Sequence, residues 1–78
     1  MYMYEAVADR INEIRKDQNM SIRQLSSISN IPYSTLYAII TKKTKAIKIA
    51  TLGNIICGLD MSPQEFFADS IFAKNFED

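Results

Sequence analysis

Two series of apolar residues recur at intervals of three and four: Tyr4, Val7, Ala8, Ile11 and Ile14, then Ile49, Leu52, Ile55, Ile56 and Leu59. That period places each series on one face of an α-helix. With only two Gly and two Pro in 78 residues, the chain lacks the breakers that strands joined by tight turns require, so the fold is expected to be all-α. A chain this short buries only about 60% of the surface its unfolded form exposes, which leaves room for one shared core. The apolar fraction of 47%, with four Phe and four Tyr, suits a folded domain and not a disordered one.

The first helix is expected from about Tyr4 to Asp17, with Asp9, Arg10, Glu13, Arg15, Lys16 and Asp17 on its other faces and a stop near Asn19. Ser21 and Gln24 stand in capping-box spacing and open a second helix to about Ser29, with Leu25 and Ile28 inward. Asn30 tolerates the left-handed backbone of a sharp turn, and Pro32 suits the first turn of a third helix, 32–41. Leu36 and Ile39 face inward there, while Tyr33, Ser34, Tyr37, Ala38 and Thr41 project elsewhere; Ile40 is a candidate exposed residue. The run KKTKAIK has no apolar period and reads as a loop. A fourth helix follows from about Lys48 to Gly58, with Gly58 suited to its C-terminal end and Gly53 inside it, where a close helix contact would explain the missing side chain. Ser62, Pro63 and Glu65 open a short fifth helix carrying Phe66 and Phe67. Residues 1–70 are read as one domain and 71–78 as a tail.

The formal net charge is zero, but it is unevenly spread. Residues 21–59 hold Arg23, Lys42, Lys43, Lys45 and Lys48 and no acid, while both flanking segments are net acidic. A basic stretch confined to one region is an electrostatic footprint for phosphate that the whole-chain charge conceals. No run of 18 apolar residues suggests a membrane span, and the N-terminus lacks the pattern of a signal peptide. The single cysteine, Cys57, is expected to be a small buried apolar residue, and a cytoplasmic location is expected. With no His, no second Cys and no Gly-rich phosphate loop, neither an enzyme nor a metal site is expected, and no cofactor or small-molecule ligand is evident.

The segment SIRQLSSIS-NI-PYSTLYAIIT is a short helix, a turn and a second helix. Together with TKKTK, IATLGNII and LDMSPQEFF at their spacings, it resembles the lambda-repressor/Cro-like (XRE) helix-turn-helix domains over residues 4–68. The resemblance implies a compact five-helix bundle whose third helix lies in the major groove of double-stranded DNA. It places Tyr33, Ser34, Tyr37 and Ala38 at base edges. It assigns Ser21, Arg23, Pro32, Thr41, Lys42, Lys43, Thr44 and Lys45 to the phosphate backbone. A sequence-specific transcriptional regulator of repressor type is the implied function.

Four features depart from the family pattern. Ile22 stands where glutamine is frequent, Asn30 and Lys42 stand where glycine is common, and the third helix contains no Arg, Asn or Gln. These departures bear on sequence specificity more than on DNA binding. The alternative is a protein-interaction module of the same fold that uses Tyr33, Tyr37, Ile40 and Ile22 as an apolar face. At the other end, Phe66, Phe67, Ile71, Phe72 and Phe76 form an apolar concentration, read as a homodimer interface within residues 62–76. The competing arrangement folds the tail back over the first helix, covering Met1, Tyr2 and Met3.

Overall fold

The computed structural model of the protein describes residues 1–77; Asp78, the end of the expected tail, lies outside them. The helices are α1 (Met3–Asp17), α2 (Ile22–Ser29), α3 (Tyr33–Ile40), α4 (Ile49–Gly58) and α5 (Pro63–Phe66), followed by a 3-10 turn at Ser70–Phe72. Among the described residues there is no strand, and no helix is long and apolar enough to cross a membrane. The helix α2 packs on both α3 and α4, α1 packs on α3, and the 3-10 turn lies against α1. Ile11, Leu25, Leu36, Ile39, Ile55, Leu59 and Phe66 meet in the fully buried centre.

Local chemistry sets the helix ends. At α2, Ser21 Oγ accepts from Gln24 N–H at 3.0 Å while Ser21 N–H donates to Gln24 Oε1 at 2.8 Å. Ser62 and Glu65 repeat the same reciprocal box at α5. The other ends of α1 to α4 share one closure: Asn19, Asn30, Lys42 and Asp60 each take positive φ, between 54° and 66°. The next residue's N–H then reaches back five positions, as in Ile31 to Ser26 O at 3.0 Å and Lys43 to Ala38 O at 2.9 Å. These are Schellman closures built without glycine, at some backbone cost for each side chain held left-handed.

Several side chains lie elsewhere than the period predicts. Ile28 is 60% exposed, and Ser29 takes the inward position instead, because α4 crosses too closely there for anything larger. A Cβ added to Gly58 would collide with Ser29 Oγ and stand 3.3 Å from Ser29 Cβ. The close contact therefore belongs to Gly58, within α4, and not to Gly53, around which there is open space. Ile49, at the very start of α4, is 88% exposed, and Cys57 is exposed and not buried. Ile40 is buried beside Ile39. Pro32 caps α3 from just outside it, at φ −55° and ψ 139°, instead of occupying its first turn.

The aromatic end is closed largely from within. Phe66 is completely buried, so it has no surface to offer a second copy; its assignment to a dimer interface is corrected. Its ring meets Phe67 edge-on at 5.0 Å and Phe72 at 5.9 Å, and Phe67 and Phe72 lie 4.8 Å apart. Ile71, Phe72 and Phe76 are half-buried, and Phe67 keeps an exposed edge. Arg10 fastens this cluster to α1: Nε donates to Phe66 O at 2.8 Å, Nη2 to Glu65 O at 3.1 Å and Nη1 to Asp69 at 3.2 Å. Glu77 N–H then donates to Met1 O at 3.3 Å, which brings the tail to the start of the chain while leaving Met1, Tyr2 and Met3 partly exposed.

Candidate nucleic-acid interface

The outer surface of α2 and α3 is organised by stacking. Tyr33 and Tyr37, one turn apart on α3, stack with ring centroids 5.9 Å apart. The Arg23 guanidinium, from the first turn of α2, lies 4.6 Å from the Tyr33 ring centre. Lys43 Nζ, from the loop after α3, lies 5.7 Å from the Tyr37 ring centre. The four side chains form one row, cation–ring–ring–cation, across two helices and a loop. Cation–π contacts at exposed sites contribute about 0.5–1 kcal/mol each, enough to favour one arrangement of otherwise mobile side chains. With a cation near each ring, the faces of the tyrosines are partly occupied. Both residues nevertheless remain about two-fifths exposed.

Ser34 is exposed and Ala38 half-buried on the same helix, so the four expected base-edge residues lie within α3. The expected phosphate residues are more dispersed. Lys42 turns toward α1, where Nζ pairs with Asp9 Oδ1 at 2.9 Å. The hydrogen bond and charge of Asp9 raise the Lys42 ammonium above its ordinary value. Lys45 lines a groove of about 270 Å3 with Met3, Tyr4 and Val7 on the α1 side. Thr41 Oγ1 donates its hydrogen to Tyr37 O at 2.7 Å, so that proton is already committed. Ser21 is held in its capping box. Thr44 points into a second groove of about 370 Å3, lined also by Pro32, Thr35, Lys48, Thr51 and Asn54.

This second groove adds candidates that the sequence reading passed over: Thr35, Lys48, Thr51 and Asn54, gathered where α3 and α4 begin. The sequence shows Lys48 as part of the basic stretch, and its signal as a site residue is its place directly before the apolar series that opens at Ile49. In the structure it is the residue preceding α4.

The helix N-termini divide into two kinds. The first turn of α1 contains Glu5 and that of α5 contains Glu65. The first turns of α2, α3 and α4 contain no acid at all. A helix N-terminus carries about half a positive charge and favours an anion beside it. Three consecutive helices thus set no acid against that charge, which at α2 meets only the Ser21 hydroxyl, and Arg23 and Lys48 add to it.

A scan against protein-family models decides the family. The chain belongs to the Cro/C1-type helix-turn-helix DNA-binding domains. The match covers residues 10–70, from Arg10 past Phe66 and Phe67. No curated protein and no solved structure matches the chain. As a Cro/C1-type domain it supplies a DNA-binding regulator's fold, with α2 and α3 as the helix-turn-helix. The apolar face required by an interaction module is reduced, because Ile40 is buried and Ile22 packs against the core.

Proposed function

We propose that this domain is a sequence-specific transcriptional regulator of repressor type, inserting α3 into the major groove. Tyr33, Ser34, Tyr37 and Ala38 would meet base edges. The tyrosine hydroxyls and Ser34 supply hydrogen bonds, and Ala38 meets a thymine methyl. Arg23 and Lys43 hold phosphates on either side of α3, and Lys48 with Thr44 and Thr51 holds another stretch of backbone. Occupying an operator in this way would exclude polymerase.

The observation that carries the proposal is the set of acid-free N-termini at α2, α3 and α4, within a segment, 21–59, that holds five cations and no acid. An array of that kind favours anions in front of it. Phosphates spaced along a duplex supply them. A homodimer on a two-fold operator belongs to the same proposal, with Phe67, Ile71, Phe72 and Phe76 providing the remaining apolar surface.

The test is binding to a fluorescent duplex of random sequence between about 50 and 300 mM salt. Each phosphate contact contributes about 0.9 to the slope of log affinity against log salt. Arg23→Ala combined with Lys43→Ala should therefore flatten the slope by nearly two. Binding that ignores salt, or no binding at the lowest salt, overturns the proposal.

A further inference from the structure

Lys42 and Asp9 come from opposite ends of the charge pattern: the one from the cationic loop after α3, the other from the acidic α1. Their 2.9 Å pair is two-fifths exposed on each side, at the edge of the surface assigned to phosphate. Lys42 is the left-handed residue that closes α3, at φ 66°. That backbone conformation sets the direction in which its side chain leaves the loop. Lys43, the next residue, has opposite company: its Nζ lies over the Tyr37 ring and forms no ion pair among the described residues.

We propose that Asp9 competes with DNA phosphate for Lys42, and so sets the strength of the interface from outside it. The inference rests on the DNA-binding reading above. An exposed ion pair is worth little in water, so a phosphate can take the ammonium from the carboxylate. It does so against the charge of Asp9, which then stays unpaired beside the phosphate. Glu5, one turn earlier on α1, lies close enough to Lys42 to add to its negative surroundings. While Lys42 stays paired with Asp9 it neutralises no phosphate and displaces none of the cations condensed on DNA, so its contribution to the salt dependence is muted. Asp9 is a determinant of affinity that never touches DNA.

The experiment is a double-mutant cycle. Wild type, Asp9→Asn, Lys42→Gln and the double variant are titrated onto one random-sequence duplex across the same salt range. Circular dichroism confirms that each is folded. Asp9→Asn should bind about three- to fivefold more tightly at 100 mM salt. Its salt slope should be steeper by up to about 0.9. In the Lys42→Gln background the same change should give less than half of that gain. An equal gain in both backgrounds would mean that Asp9 acts only through the general field, which overturns the proposal, as would weaker binding by Asp9→Asn. If wild type binds with the expected salt dependence and Asp9→Asn behaves identically, this inference fails alone. If neither protein binds, the DNA-binding reading fails and this one with it.

Discussion

Arg10 Nε donates to the carbonyl oxygen of Phe66 at 2.8 Å, joining α1 to a residue 56 positions away. The same guanidinium reaches Glu65 O and Asp69, and it lies 5.9 Å from the centre of the Phe66 ring. One mostly buried cation thus satisfies backbone acceptors at the end of α5 and roofs the aromatic cluster. Arg10→Ala leaves Phe66 O without its donor, while Glu65 O keeps the Ala68 N–H at 3.3 Å, and is expected to lower stability by about 2–3 kcal/mol. Lysine restores the charge but not the fork, so Arg10→Lys should recover less than half of the loss. Urea unfolding measures both as shifts in midpoint at unchanged slope.

The two glycines of α4 should respond in opposite directions to alanine. Gly53 has open space around it, so Gly53→Ala is expected to stabilise by up to about 1 kcal/mol through helix propensity. Gly58→Ala pushes a methyl into Ser29 and should cost about 1–3 kcal/mol. Ser29 Oγ is buried and has no hydrogen-bond partner among the described residues. Ser29→Ala should therefore be neutral or stabilising alone, and it should recover part of the Gly58→Ala loss. Thermal unfolding of the four proteins checks the sign of each change.

Hydroxyl and ring can be separated at Tyr33. Tyr33→Phe keeps the ring between Arg23 and Tyr37 and removes only the polar tip. Affinity for random-sequence duplex and its salt slope should stay unchanged. Discrimination at one position of a selected operator should fall by about 1–3 kcal/mol. Competition binding between the selected site and single-base variants provides the readout.

Acid should weaken the cap at the start of α5. The Ser62 N–H, and then the Ser62 hydroxyl region, hold the Glu65 carboxyl below its ordinary value of 4.5. A carboxyl whose value falls on folding stabilises the fold above 4.5, and that contribution is lost as pH drops through the lowered value. In Glu65→Gln the amide still caps α5 but does not titrate. The difference in melting temperature between wild type and Glu65→Gln should therefore shift toward the variant between pH 5 and about pH 3.

The helices were legible because they rest on the three-and-four period and on caps such as Ser21–Gln24 and Ser62–Glu65. Facing was harder to read in the eight-residue α2, where Ile28 and Ser29 both fit an inward position after Leu25. The Gly58 crossing decides between them, and that contact arises only when α2 and α4 meet. Cys57 and Ile49 failed for a related reason: apolar character marks what can be buried, while the neighbouring helix determines what is. For the candidate site, the types and rough positions of the residues could be read from the charge gap and the PYSTLY segment. Their grouping could not, since Arg23 meets Tyr33 across a turn and Lys42 meets Asp9 across the bundle. Arg10 looked like one of several surface charges until the end of α5 came to lie over it.

The row Arg23–Tyr33–Tyr37–Lys43 also bears on how a domain like this could change its target over generations. A replacement at Tyr33 removes the neighbour of Arg23 and one face of Tyr37 together, so its effect depends on what the other three positions hold. Paths from one preferred sequence to another would be rugged, with single steps losing more than pairs of steps. New specificities should then arise by linked replacements along the row, and a library that varies its members one at a time would miss most of them.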